Sequence, residues 1–413
     1  MNTAIAAVHT MSLVSVIPAK LWTTIRSVLG KVAPATRGLI LLWVLWVCFI
    51  HLLPVAAARV VRPHLPGPTN WSPQMRAVET PLSRWDSRWY FTIATHGYSY
   101  AGPDRESPVR FYPLYPMLMA AAAWTTPLTV MWAGTLVSAL ALLGTMLLLA
   151  HRAREEAGSE AAVTVVQALL FFPSAFILAT VYSDGLALFC MLLAVTLARR
   201  GRWWGAGLAG AAVALTRSNG FLVLLPLFVL ALGMWRSERR WRPLPALLLA
   251  VAGAAAFPLY LGLKYGDPLL YLHFHSPGWA QHPRFFPLFL WDVVKAVGTV
   301  VTGGGLPRSV QTMSTVVFPL NIGVLVLLAW ALVASLRQRK WDDAALLGGG
   351  LLLASSAGNL DGAIRYCLLY FPVFLRMGER FAARPILRSI ATPVLLAAQT
   401  VVVLLFSQWG WVL

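Results

Sequence analysis

Acidic side chains are scarce in this chain. Its 413 residues hold 15 Asp and Glu against 33 Lys and Arg, a net charge of +18. Charge of either sign is sparse, 12% of residues where a soluble protein carries about 25%. There is no GxxxxGK[ST] loop to cradle nucleotide phosphates and no HExxH zinc motif, and the glycine runs 303–305 and 348–350 lack any phosphate-loop context. The three cysteines, Cys48, Cys190 and Cys367, each sit inside an apolar run, which argues against a disulfide framework. No nucleic-acid-binding module accompanies the positive charge, so nucleic acid is not an expected partner. No small-residue cleavage site follows a short apolar core near the N-terminus, so the first apolar run is expected to stay in place.

What fills the chain instead is apolar side chain, 58% of residues. Runs near the ~20 residues needed to cross a bilayer recur from Gly38 onward. They predict an all-α polytopic membrane protein, with the lipid bilayer as its first partner. Breaks at charge, Gly and Pro place spans at 38–58, 128–150, 161–179, 183–198, 203–218, 220–235, 243–263, 313–336, 344–357, 362–376 and 389–408, about eleven transmembrane helices. Residues 1–37 form a cytoplasmic N-terminal segment, 38–413 the transmembrane domain, and two long outer loops, about 59–127 and 264–312, carry interfacial helices. With the N-terminus inside, 20 of the 33 Lys and Arg fall in short inner segments, as the positive-inside rule requires. If the chain is bacterial, as its Ala-, Arg- and Trp-rich composition suggests, it sits in the plasma membrane with its site facing out.

The first outer loop strains that rule, because it carries arginines 59, 62, 76, 84, 88, 105 and 110. Either the topology is inverted or these arginines hold an anionic ligand. Within the loop, Phe111–Thr126 reads as an interfacial or re-entrant helix opened by the prolines of FYPLYP.

The remaining polar residues of note fall at one membrane face under this topology. They are Asp86 in RWDSRWY, Asp184 in VYSDG, Arg217 and Asn219 in LTRSNG, His273 and His275 in YLHFHS, and Asn359, Asp361 and Arg365 in GNLDGAIRY. Ionisable residues near membrane depth are costly and face a cavity or a partner. Guanidinium groups match phosphate, and a carboxylate beside them can take a proton from a hydroxyl.

Each residue also has a plainer reading. Asp86 and Asp184 both precede apolar helical stretches and suit capping. Trp85 and Trp89 suit an interfacial belt as well as sugar stacking. Arg84 and Arg88 suit headgroup contact, and Arg217 suits snorkelling from a short helix. Asn219 with Gly220 suits a turn, and Asp361 with Arg365, four apart, suits a helical ion pair. His273 and His275 would share a face only on a strand.

The block WDSRWY…HGY (Asp86, Trp89, Tyr90, His96), the FYPLYP after it and the later TRSNG resemble the PIG-V-type GPI mannosyltransferases and their bacterial relatives, multi-spanning enzymes of the GT-C fold. The resemblance covers roughly residues 38–410, and its specific part is 84–116 with 216–220; Arg365, Tyr366, Phe371 and Pro372 match more softly. It implies transfer of mannose from a polyprenyl-phosphate donor on the non-cytoplasmic face, with inversion. It places the catalytic carboxylate, the base for the acceptor hydroxyl, at Asp86 and phosphate contacts at Arg84, Arg88, Arg217 and Arg365. Trp85, Trp89, Tyr90, His96, Asp184, Asn219 and Asp361 are further site candidates. No cofactor is required by it; a divalent metal ion steadying the phosphate is the one candidate. The acceptor, whether glycan, lipid or protein, does not carry over. One departure stands out: Arg88 occupies a position where the family usually has a small residue. Competing readings are a GT-C transferase for another lipid-linked sugar, a lipid-linked sugar transporter or flippase, and a non-catalytic membrane subunit.

Overall fold

The computed structural model describes residues 33–58, 72–103, 105–239, 241–273, 317–356 and 362–410, with isolated positions between 291 and 302. Asp361, Asn359, His275, Arg59 and Arg62, as well as nearly all of segment 1–37 and most of loop 264–312, lie outside the described residues. The chain divides into two units, 1–46 and 47–413. Of the first, the structure describes only 33–46, the opening of helix α1, Pro34–Ala57.

Among the described residues there is no β-strand. The first loop holds α2 (Pro73–Ala77), α3 (Ser87–His96), a 3-10 turn at Pro108–Arg110 and α4 (Leu114–Thr125). Pro113 immediately precedes α4, as the FYPLYP reading requires: the missing N–H of proline costs nothing at a helix start. Next come α5 (Val130–Leu170), α6 (Asp184–Arg199), α7 (Trp203–Ala214), α8 (Leu224–Glu238), α9 (Leu244–Tyr265) and α10 (Leu270–His273). Then follow α11 (Val317–Arg337), α12 (Trp341–Ser356), α13 (Ala363–Tyr366), α14 (Pro372–Ala383) and α15 (Pro385–Ser407).

Six of the described helical segments are long and apolar enough to cross a membrane: 34–57, 130–170, 218–238, 244–265, 319–337 and 385–407. The protein is therefore an integral, multi-pass membrane protein. The remaining expected spans are helical but short. The 161–179 run is helical only to Leu170, continuing through a 3-10 turn at Ala175–Ala179. The 203–218 run stops at Ala214, and the 362–376 run splits into α13, a 3-10 turn and α14. Helices α6 and α12 have 16 residues, α7 and α14 have 12, all below the length that spans a bilayer unaided. The 128–150 and 161–179 runs meet in α5, broken at Gly158, whose φ of 89° no L side chain adopts cheaply.

The buried centre is made by α6 packing against α5 and α7, with α14 on α5 and α9 on α7. Helix α7, WWGAGLAGAAVA, is rich in Gly and Ala, which lets neighbouring backbones approach closely.

At the Arg199 end of α6 lies a buried ion network. Arg152 donates to both oxygens of Asp343 at 2.6 Å and to Glu156 at 2.9 Å. Arg199 donates to Asp342 at 2.7 and 2.9 Å and to Glu156 at 2.9 Å. Arg376 reaches Glu379 at 3.0 Å and Glu156 at 3.3 Å, and Lys340 also pairs with Glu156. Basic residues that the topology assigns to loops are thus partly tied to acids. Removing one partner of a buried pair strands the other charge, at a cost of about 3–5 kcal/mol. Asp343→Ala, at a side chain with no exposure, is therefore expected to lower the thermal unfolding midpoint in detergent well below that of an exposed control such as Glu155→Ala. Equal midpoints would show that the network adds no stability.

Candidate functional site

Three distant segments meet at one arginine. Arg365 donates from Nη1 to Asp86 Oδ2 at 2.7 Å. Its Nε lies 3.2 Å from both oxygens of Asp184, and its Nη2 donates to Asp184 Oδ2 at 3.0 Å. Arg217 Nη1 approaches Asp184 Oδ2 at 2.5 Å, and Arg217 Nε donates to Asn219 Oδ1 at 3.3 Å. Asp86, Asp184, Asn219 and Arg365 are buried. Two carboxylates thus face two guanidinium groups in a neutral, largely dehydrated cluster, the condition under which buried charges are tolerated.

The local chain geometry aims these groups. Asp86 sits at the cap position of α3, yet its side chain makes no capping hydrogen bond. The capping reading fails because the carboxylate turns to Arg365 instead. Trp85 just before it has φ 51°, a left-handed conformation unusual for a large side chain. It turns the backbone between the buried Ser83 and the buried Asp86. Asp184 opens α6 but likewise spends its oxygens on arginines. Gly220 accounts for the last residue of TRSNG: a Cβ there would fall 2.2 Å from the carbonyl oxygen of Val213, so only glycine lets the 3-10 turn Ser218–Val223 close beneath Arg217.

Tyr182 ties the segments together. Its hydroxyl donates to the Arg84 carbonyl at 2.9 Å and accepts from the Asp86 N–H at 3.3 Å. The Arg365 guanidinium lies 4.5 Å from the centre of its ring, in cation–π range. Burial, and next to it the charge of Asp86, pushes the Tyr182 hydroxyl well above its ordinary pKa, so it stays a neutral donor. Tyr90 bonds Ser183 at 2.8 Å and stands edge-on to Phe111, Tyr115 and Tyr182; burial raises its pKa too. Ser138 donates to the Tyr182 carbonyl at 2.9 Å. Arg110 feels Tyr366 and Asp86 electrostatically, which offsets part of the drop that burial imposes on its pKa.

Other expected site residues lie apart. Arg84 pairs with Glu79, donates to the Ser407 carbonyl at 3.0 Å and lies over Trp409 at 4.7 Å. Desolvation lowers its pKa, with Glu79 opposing. Arg88 pairs with Glu106 at 2.8 Å and lies over Trp89, which stacks on Phe111. Two of the puzzling loop arginines are thus neutralised inside the loop itself. Trp85 packs edge-on against Trp409 at 5.9 Å. His96 is exposed and bonds Thr95. His273 pairs with Asp267 at 2.8 Å. Arg365 finds partners far along the chain in Asp86 and Asp184; Asp361, its helical-pair candidate, lies outside the described residues.

Among the described residues no three His, Cys, Asp or Glu side chains converge to hold a metal ion, and Arg365 occupies the space between the two carboxylates.

No protein-family model matches the sequence, and no curated protein does. Among solved structures the chain is similar to ArnT from Cupriavidus metallidurans in the apo state, at 15% identity and a TM-score of 0.49, over 92% of this chain and 77% of that one. The same protein bound to undecaprenyl phosphate gives 15% identity and 0.48, over 91% and 77%. Likeness at this level assigns neither a family nor an activity.

Arg365→Ala leaves two buried carboxylates with one guanidinium between them. A loss of about 3–5 kcal/mol is expected, read as a lower unfolding midpoint in detergent, whereas Arg88→Ala, at a partly exposed pair, is expected to change it little. Equal shifts in the two variants would contradict the assignment of Arg365 as the centre of the cluster.

Proposed function

We propose that this protein is a membrane glycosyltransferase of the GT-C type, which moves mannose from a polyprenyl-phosphate donor to an acceptor hydroxyl with inversion at the anomeric carbon. The observation that carries this reading is the asymmetry of Asp86. Its Oδ2 is held by Arg365, while its buried Oδ1 has no hydrogen-bond partner. A buried acceptor atom without a donor is costly, and the hydroxyl of an incoming acceptor is the donor that would satisfy it.

In the proposed reaction Oδ1 takes the hydroxyl proton as the acceptor oxygen attacks the anomeric carbon. The bond from that carbon to the phosphate oxygen breaks, its electron pair stays on the phosphate, and polyprenyl phosphate departs. Arg365 fixes the base in position. Arg217, at the edge of the cluster, and Arg110, coupled electrostatically to Asp86, steady the charge on the leaving phosphate. Apolar helix surface receives the polyprenyl tail. The site faces the non-cytoplasmic side, the acceptor is a glycan, lipid or protein hydroxyl, and no step is routed through a metal.

The test is transfer of radiolabelled sugar from polyprenyl-phosphate mannose in membranes holding wild type or Asp86→Asn. The substitution keeps size and removes the base. Turnover per folded protein, whose amount is measured alongside because the substitution also uncharges a buried partner of Arg365, is expected to fall about a hundredfold or more. Full activity in the Asn variant would move the base elsewhere, with Asp184 next. Wild-type transfer from another polyprenyl-phosphate sugar but not from mannose would keep the reaction class and correct the donor.

A further inference from the structure

A second polar feature lies at the other end of α6, away from Asp184. Sixteen residues separate the ends of this helix by about 24 Å at 1.5 Å per residue, so the two regions do not share a site. Between α11 and α14 lies a pocket of about 320 Å³ lined by Trp330, Ala334, Arg337, Gln338, Arg376, Glu379, Arg380 and Ala383, near the lower end of the small-molecule range. The spacing explains the pocket. Residues 330, 334, 337 and 338 share one face of α11 and its exit, and 376, 379, 380 and 383 share one face of α14.

The charges in the pocket do not cancel. In the ion network behind it, four bases (Arg152, Arg199, Lys340, Arg376) meet four acids (Glu156, Asp342, Asp343, Glu379). Glu379 faces the pocket, but Arg376 at 3.0 Å and Gln338 at 3.1 Å engage it. Arg337 and Arg380 are exposed and pair with no acid among the described residues. Arg376 lines the pocket with its side chain 1% exposed and its Nε and Nη1 bonded to nothing. Arginines near helix C-termini have a plain reason to exist, since the carbonyl ends attract cations. That reason does not account for two of them converging on a concavity that a third, incompletely bonded guanidinium lines.

We infer that this pocket is a binding site for a phosphate-bearing group, held by Arg337 and Arg380 over Arg376. Guanidinium forks favour phosphate oxygens, and Trp330 on the wall suits the boundary between headgroup and acyl chain. The site is separate from the Asp86 cluster, and its occupancy does not depend on the reaction there.

Two probes separate the sources of the phosphate. Radiolabelled inorganic phosphate is dialysed to equilibrium against the full chain in a neutral detergent. In parallel, the chain is placed in phosphatidylcholine nanodiscs carrying phosphatidylglycerol, and retained lipids are counted by native mass spectrometry. The variants are Arg337→Ala, Arg380→Ala, both together, and Arg154→Ala as an exposed basic control, each checked for an unchanged unfolding midpoint. Saturable binding is expected for wild type and the control, weakening about tenfold per pocket arginine removed, the size of one charge-assisted hydrogen bond. Binding of inorganic phosphate supports the site and makes it one for a free anion. Selective retention of phosphatidylglycerol alone supports it and makes it a lipid headgroup site. The inference is overturned if neither probe binds saturably, if the double variant binds like wild type, or if Arg154→Ala weakens binding as much as the pocket variants do.

Discussion

Everything polar near Asp86 depends on the cost of burying charge. A carboxylate removed from water is tolerated only when a cation or several donors replace the water. Here one guanidinium does this for two carboxylates at once. Arg365 spans Asp86 and Asp184, and Arg217 completes the balance. The first-loop turn, the start of α6 and the segment entering α14 are therefore fixed relative to one another by one side chain. Tyr182 reinforces this from below, bonding the backbone of the first-loop turn and carrying Arg365 on its ring.

The same constraint explains the opposite end of α6. There Glu156 is shared by Arg152, Arg199, Lys340 and Arg376, close to the Gly158 break in α5. The short helices α6, α12 and α14 contribute little lipid-facing length, but their ends carry the charges that knit each polar layer. Length is thus a poor guide to their importance: among the long apolar helices the spanning stretches of α9, α11 and α15 are only 28%, 28% and 22% buried, and α5, at 61%, is the one that reaches into the centre.

Much of this was legible in the sequence, for a physical reason. Hydropathy alone located α1, α6, α9, α11 and α15, because apolar runs bounded by charge have few alternatives to a helix. It also put Asp86, Asp184, Arg217 and Arg365 at one face, and the structure brings those four side chains together. Pairing was less legible. Spacing offered Arg365 only Asp361, which lies outside the described residues, and could not point to the partners 181 and 279 residues away. Spacing did not single out Glu79 and Glu106, with which Arg84 and Arg88 pair in the structure. Tyr182 could not be singled out at all, since its bond to Arg84 spans 98 residues and nothing in VYSDG marks the tyrosine over its neighbours. The Gly158 break falls in the charged stretch between the 128–150 and 161–179 runs, where the sequence had already separated two spans; the helix ends after Leu170 and Ala214 escaped because a stretch can be apolar throughout and still leave the helical path where it packs inside the protein.

Helix α6 begins at Asp184 and ends at Arg199, so it works as a ruler between two fixed points. A single inserted residue within it would turn one end by about 100° against the other, since 3.6 residues make a turn. Either Asp184 would leave its arginines or Arg199 would leave Asp342. The interior of this helix can drift by substitution among apolar residues, but its length is locked. Across diverging descendants of this chain, insertions and deletions should collect in the loops and at the free ends of the long helices, and the count of residues from Asp184 to Arg199 should be the slowest quantity to change.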